Sequence, residues 1–366
     1  MKPFVPLSLP LMNIDWSRLI EPVGEARAAL GRYAGILEGV PEPDVLLAPL
    51  TTKEAVLSSR IEGTQASLGE VFRFEAGEEP KQMERRLDIQ EIVNYRTALE
   101  MARHDLADRP FSLNLLKRLH SVLLDSVRGR NKARGRFRTT QNWIGDYSAA
   151  IEDARYVPPD PARIMELLDN WEKYYHCDEK DALVQLSIIH AQFEIIHPFH
   201  DGNGRLGRIL VPLFLYEKQL LDRPIFYISA YLEEHRDTYI DCLRNLDNGT
   251  KSWHAWIEFF LRAVSEQAEK NTAIARSILT LYNNLKDKII ELTRSQFSVP
   301  LLDCFFHRPI FQSKHIDLGP NGPSYVHISN MLRTLREAGV LQVVRESSGR
   351  RPQVLMLHEL VDLCEA

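Results

Sequence analysis

Cysteine is scarce in this sequence. Four residues, Cys177, Cys242, Cys304 and Cys364, lie far apart in a chain of 366 and form no Cys-x-x-Cys pair. That argues against a zinc ribbon and a disulfide framework, and it fits a reducing, cytoplasmic setting. Long apolar runs are missing too. The longest, Ile209 to Tyr216, falls far short of the roughly 20 residues that cross a bilayer, so no membrane role is expected. The first dozen residues are apolar, but Pro3, Pro6 and Pro10 interrupt them and no small-residue cleavage site follows. They read as an irregular arm, not a signal peptide. Neither sign of charge dominates: 45 Lys and Arg stand against 50 Asp and Glu, a net charge of −5. The chain as a whole is therefore no polyelectrolyte built for nucleic acid or acidic lipid. Internal repeats and low-complexity tracts are absent, and strand-like segments are few before the C-terminus.

What is present is ordinary globular material, 44% hydrophobic and 26% charged, in a chain long enough for two or three compact units. The patterning predicts a mainly α protein. An amphipathic stretch around Val23 to Leu37 is closed by Pro41 and Pro43. Thr51-Thr52-Lys53-Glu54 has the form of a capping box opening the next helix, with Gly63 as its C-cap. Residues 82–106 and 111–127 read as two further helices. Arg134 to Val157 holds Gly135, Asn142, Gly145 and Asp146 as turn formers and reads as a short hairpin. Its Arg134-Gly135-Arg136-Phe137-Arg138 cluster is more simply a structural corner than an RNA contact. Helical periodicity resumes at Ala162, runs with breaks to about Phe260, and continues as a long helix over 264–294. Short helices at 299–306 and 312–317, a third from Ser324 to Ala338, and a hairpin around Ser347-Ser348-Gly349 follow, which is the layout of a winged helix. The expected division is an N-terminal helical region (1–110), a core (111–263), and a linker helix with a winged-helix-like domain (264–366).

Chemistry concentrates in His197-Pro198-Phe199-His200-Asp201-Gly202-Asn203-Gly204-Arg205-Leu206-Gly207-Arg208. Leu183, Leu186, His190, Phe193 and His197 recur at intervals of three and four, so one buried helix face delivers His197 to the helix end, where Pro198 stops propagation. The next helix starts near Gly204. Its first turn offers free backbone N–H groups, and Gly202 and Gly204 allow close approach to the main chain. Arg205 and Arg208 lie three apart near the positive end of that helix dipole. Each is disfavoured there by about 0.3–1 kcal/mol unless an anion sits between them. A polyphosphate would satisfy this arrangement. His190, on the apolar face, reads as a core residue. No His-x-x-x-His ligand spacing accompanies these histidines, so a dedicated zinc site is not expected.

This stretch resembles the signature of the Fic family, His-Pro-Phe-x-Asp-Gly-Asn-Gly-Arg-x-x-Arg, at every defined position. The resemblance extends over about residues 45–260, and the C-terminal part is similar to the winged helix often appended to such proteins. It implies a Fic-type helical bundle with a β-hairpin flap. The implied activity is transfer of AMP from ATP to a Tyr, Thr or Ser hydroxyl of a target protein or of the chain itself. His197 would be the general base and Asp201 the Mg2+ ligand. Gly202, Asn203 (backbone and side chain), Gly204, Arg205, Gly207 and Arg208 would bind the nucleotide phosphates, with Tyr231 on the adenine side. Residues Ile144 to Val157 correspond to the flap that pins the target by strand addition.

Ser58-Ser59-Arg60-Ile61-Glu62-Gly63 resembles the family's inhibitory motif, Ser/Thr-x-x-x-Glu-Gly/Asn. Glu62 falls in the last turn of its helix, where a carboxylate faces the negative dipole end and an opposing cation would offset the penalty. Arg208 is the partner that the resemblance implies, with Ser58 on the same helix face steadying the contact. Two rival functions remain open here. One keeps the site but removes AMP, or transfers phosphocholine or another nucleotide. The other is a nucleotide-sensing DNA-binding regulator, since Arg333, Arg336, Arg345, Arg350 and Arg351 give the third helix and wing a basic character. Glu337 and the few base-reading amides make protein docking or homodimerisation the favoured role of that module.

Overall fold

Caps and prolines set where helices begin. The computed structural model describes residues 2–125, 133–145, 154–246, 250–349 and 351–365. In chain order the elements are α1 (Trp16–Gly39), α2 (Pro43–Leu46), α3 (Ala48–Ile61), α4 (Leu68–Glu75), α5 (Met83–Asp108), α6 (Leu113–Leu123), α7 (Ile164–His176), α8 (Ala182–Ile196), α9 (Asn203–Glu217), α10 (Ser229–Glu234), α11 (Arg236–Arg244), α12 (Thr250–Thr293), α13 (Ser298–His307), β1 (Ile310–Gln312), α14 (Tyr325–Glu337), β2 (Gln342–Arg345), β3 (Val354–Met356) and α15 (His358–Glu365). The fold is thus mainly helical, with one small antiparallel sheet in the order β1-β3-β2. Central β3 pairs Leu355 with Phe311 on one side and with Val343 on the other. None of the described helices is long and apolar enough to cross a membrane.

Two compact units divide the chain. The first comprises Met1–Ala34, Leu57–Gly63 and Val93–Glu269. Its centre is α8, buried along nearly its whole length, as a helix apolar on all sides must be. Asp181 caps it by accepting from the Leu183 and Val184 N–H groups. Two indoles tie it to its neighbours: Trp171 Nε1 donates to the Ile189 carbonyl and Trp256 Nε1 to the Ser187 carbonyl, each within 2.9 Å. Trp256 and Trp253 are both buried, as core anchors should be.

The second unit comprises Gly35–Val56, Thr64–Ile92 and Lys270–Ala366. Here the three-stranded sheet packs with α4, and Gln312 Nε2 donates to the Ala76 carbonyl at 2.5 Å. Arg345 pairs with Glu78 at 3.0 Å and donates to the Pro352 carbonyl. Arg345 is thus engaged within its own unit, while Arg333 donates to Asn330. Arg350 lies outside the described residues.

Several boundaries depart from expectation. Thr51 does not open a helix: α3 begins at Ala48, and Thr51 N already donates back to Leu47. Pro49 explains this, since proline favours the first helical turn and draws the start upstream. The capping box in this stretch is formed by Ser67 and Glu70 at the head of α4, both of its hydrogen bonds being present. The helix expected over 312–317 is a single 3-10 turn, Ser313–His315, because Ile310–Gln312 is drawn into the sheet. The linker helix expected over 264–294 is the C-terminal part of the 44-residue α12, which begins earlier at Thr250. Of the hairpin between Arg134 and Val157, the Ile144–Tyr156 bridge is present; residues 146–153 of the expected flap lie outside the described residues.

Candidate active site

The loop joining α8 to α9 is built almost wholly from buried hydrogen bonds. α8 ends with His197 in the left-handed region, φ 48°, which costs a non-glycine residue about 1–3 kcal/mol. Arg138, only 2% exposed, holds that conformation. Its Nε donates to the His197 carbonyl at 2.9 Å, its Nη2 to the carbonyls of Pro159 and Ile196, and its own N–H to the Pro198 carbonyl. The basic cluster is therefore a structural corner at Arg138. Phe199 is fully buried and stacks on His120, ring centroids 3.8 Å apart. The Asn203 side chain clasps Phe199 at both ends, Oδ1 accepting from its N–H and Nδ2 donating to its carbonyl, both at 2.9 Å.

His120 fixes the other half of the loop. Its Nδ1 accepts from the Gly135 N–H, so its Nε2 carries the proton and donates to the Asp201 carbonyl at 3.0 Å. Protonation would break the Gly135 bond. Burial pushes the His120 pKa down to about 4, against the pull of the Asp201 carbonyl. Gly202, at φ +76°, turns the chain into α9 where a side chain would be strained, and its N–H donates to Asp201 Oδ1 at 2.7 Å.

A cavity of about 640 Å³ opens where α8, α9, α11 and the end of α3 converge, and its wall includes His197, Asp201, Gly204, Arg208 and Glu62. His197 Nδ1 is buried and makes no hydrogen bond of good geometry among the described residues. Burial pushes its pKa down to about 4, partly countered by the Glu194 backbone, Glu62 and Asp201. The imidazole is thus neutral near pH 7. Asp201 is 39% exposed at the wall, with Arg205 Nη2 3.7 Å from its Oδ1.

Arg208 is 1% exposed and receives the C-terminal turn of α3. Its Nε donates to Ser58 Oγ and its Nη2 to the Ser58 carbonyl, each at 2.8 Å, and Nη2 reaches Glu62 Oε1 at 2.7 Å. Glu62 rests where a β-carbon on Gly204 would lie. Burial disfavours the Glu62 charge, but Arg208, Arg205 and His197 outweigh it and hold its pKa below the usual carboxylate value. Gly63, at φ +101°, closes the helix as expected. Farther in, His190 is fully buried between the Gly207 carbonyl and the Tyr239 hydroxyl and stacks on Trp256. It is a core residue.

Two family models match this chain: "Fic/DOC family N-terminal" over residues 20–104 and "Fic/DOC family" over residues 110–215, together more than half of its length. The chain belongs to the Fic/DOC family. It is 37% identical over 100 residues to a probable protein adenylyltransferase of Aquifex aeolicus, covering 27% of this chain and 29% of that protein. It is 27% identical over 177 residues to the protein adenylyltransferase Fic of Drosophila grimshawi, covering 45% of this chain and 32% of that protein. The chain thus aligns with under a third of either relative's length. A solved Fic family protein from Desulfovibrio desulfuricans shares the fold, with a TM-score of 0.58 at 20% identity over 98% of both chains.

Within this Fic fold, not every residue singled out from sequence reaches the cavity. His197, Asp201, Gly204, Arg208 and Glu62 do, and Ser58 touches Arg208. Gly202 and Arg205 lie beside Asp201. Asn203 does not line the wall, and its side chain is held by Phe199. Gly207 does not line the wall: the Glu194 carboxyl fills the space its missing side chain leaves. Tyr231 is corrected too. It is 2% exposed, stacked on His235 with centroids 4.1 Å apart, because α10 turns that face into the core.

The wall residues missed include Glu194, Arg236, Tyr239, Ile240 and Leu243. A lone carboxyl in the otherwise uncharged α8, three residues before His197, was the available signal for Glu194. The spacing 236, 239, 240, 243 marks one face of α11. For a metal, no cluster of three or more His, Cys, Asp or Glu is found among the described residues. Asp201 alone fits the Mg2+ habit of taking one carboxylate together with substrate phosphates.

Proposed function

We propose that this chain transfers AMP from ATP to a hydroxyl of a target protein, itself included, and that Glu62 restrains the reaction. The observation that carries this reading is the meeting, in one cavity, of a neutral half-buried imidazole, a helix N-terminus, Asp201 and Arg208, with a carboxylate seated on that arginine. The adenylyltransferase names of the relatives agree with it.

In this reading the nucleotide phosphates lie against the start of α9, where the Gly204 and Arg205 N–H groups and the helix dipole favour negative charge. The target hydroxyl oxygen attacks Pα, His197 takes the hydroxyl proton, and the bond from Pα to the bridging oxygen breaks to release pyrophosphate. A neutral His197 at pH 7 is ready to accept that proton without first losing one. Asp201 would hold Mg2+, which when bound offsets charge on the phosphate oxygens. Arg208 would bind the terminal phosphate. Glu62 already occupies its guanidinium, so both cannot be held at once. The C-terminal module, whose Arg345 is engaged with Glu78, then serves protein contact rather than DNA.

Labelling with ATP radioactive at Pα tests this. The Glu62→Gly chain should label itself at least tenfold faster than the parent, about 1.4 kcal/mol in barrier, and adding His197→Ala should abolish the label. No incorporation by Glu62→Gly in the presence of Mg2+ would defeat the reading.

A further inference from the structure

Two carboxyls flank Arg208, seated alike and partnered differently. Glu62 occupies the space above Gly204, and Glu194 occupies the space above Gly207, one turn farther along the same face of α9. Arg208 directs its Nε and Nη2 to Ser58 and Glu62. Glu194 Oε1, by contrast, is buried and makes no hydrogen bond among the described residues, although the residue lines the cavity. With Glu62 in place the guanidinium already has its counterion, and Glu194 is a second acid that forms no ion pair of its own among the described residues. Burial pushes the Glu194 pKa up to about 8, Arg208 pulls it down, and Glu62 adds to the rise. In this state the side chain is neutral.

We propose that Glu194 is a positioning residue for Arg208: it ionises to hold the guanidinium when Glu62 withdraws, and it takes up a proton to release it when a nucleotide's terminal phosphate arrives. This rests on the reading of the cavity as an ATP site. The balance is simple. Phosphate replaces carboxylate at Arg208, and one proton from solvent converts the Glu194 carboxylate to the acid. The groups facing Glu194 are Arg208 on α9, Glu62 on α3, Tyr239 on α11, and His190 and His197 of its own helix and helix end. The two imidazoles are pushed down by burial to about 3 and 4, and burial raises the Tyr239 phenol well above its ordinary value. None of these three changes charge between pH 6.5 and 8.5; His200 on the cavity wall and the nucleotide's own terminal phosphate are common to the chains with and without Glu194, so the part of the proton exchange that disappears with Glu194 is its own.

Calorimetric titration of α,β-methylene ATP with Mg2+ into the Glu62→Gly chain, in two buffers of different ionisation enthalpy, tests the idea. Affinity should fall about tenfold from pH 6.5 to 8.5, with net proton uptake on binding. Glu62→Gly/Glu194→Gln should bind with no pH slope over that range and no proton uptake, and Glu62→Gly/Glu194→Ala should likewise lose the slope if glutamine perturbs packing. Equal slopes and equal uptake with and without Glu194 would overturn the proposal while leaving the ATP site intact. No binding by Glu62→Gly at any pH would remove the ATP reading and this inference together.

Discussion

Two helix ends meet at the cavity, and an arginine satisfies each of them. At the end of α8, Arg138 donates to the carbonyls of Ile196 and His197 and is 2% exposed. At the end of α3, Arg236 donates to the Ile61 carbonyl at 3.2 Å and lies on the surface. Both serve the carbonyls that every helix leaves unpaired at its C-terminus, and both place a cation at the negative dipole end. They differ in what surrounds them. The Arg138 contacts are buried, so the end that presents His197 is fixed. Glu62 is held by Arg208 and by a cap that water can replace, so the end that presents it can exchange. In the proposed function this sets a fixed base beside a removable block, an arrangement suited to regulation.

Breaking the sealed end should have the largest effect. Arg138→Met leaves the carbonyls of Ile196, His197 and Pro159 without their donor in the interior. It should cost about 3–5 kcal/mol of stability, because buried groups left unpaired cost about 1–3 kcal/mol each. Chemical denaturation would measure it, and a loss below about 1 kcal/mol would show that His197 keeps its left-handed conformation without that clamp.

The histidines sharpen the same contrast through pH. Burial depresses the pKa values of His120, His190 and His197 to about 4, 3 and 4, against roughly 6.5 unfolded. Their contribution to stability is complete above pH 6.5 and is lost as pH falls toward 4, because the unfolded chain binds protons first. Glu194 runs the other way: with its pKa raised to about 8, it favours the folded state at low pH and less so as pH climbs from about 4.5 to 8. Between pH 4.5 and 6.5 these groups together should give a net slope near two protons, about 2.7 kcal/mol per pH unit as an upper bound. Glu194→Gln should steepen the slope and His190→Asn should flatten it. Unfolding free energies across that range would check both, and a slope unchanged by either substitution would contradict the burial argument.

How much of this was legible in the sequence follows from how local each signal is. The turn from α8 into α9 is written in contiguous residues, a buried helical face, a proline and a glycine at positive φ, and it lies where those residues place it. The Ser58–Glu62 contact with Arg208 spans about 150 positions, and only the family resemblance, supported by the dipole argument, pointed to it. The two Ser/Thr-x-x-Glu patterns at Thr51 and Ser67 look equivalent as strings. Pro49 upstream makes the first a helix interior, and the irregular residues before Ser67 make the second a true start. Asn203, Gly207 and Tyr231 were given to the ligand because sequence cannot say which way a polar or aromatic side chain turns. In each case a tertiary neighbour decided: Phe199, Glu194 and His235. Glu194 went unnoticed because its one signal, a single carboxyl in an apolar helix, does not say which neighbour that carboxyl meets.

The smallest effect should come from the exposed cap. Arg236→Gln removes one solvent-facing cation from the Ile61 carbonyl, a contact worth about 0.5–1 kcal/mol. If the end of α3 is the exchangeable one, that loss falls on the restrained state, and self-labelling by the otherwise unaltered chain should rise about two- to fivefold. The rise should vanish once Glu62 is already glycine, because the restraint that Arg236 supports is then gone, and such non-additivity is the signature of two residues acting on one element. Equal effects of Arg236→Gln in both backgrounds would mean that the arginine acts on substrate within the cavity, and the likeness between the two helix caps would then be one of position alone.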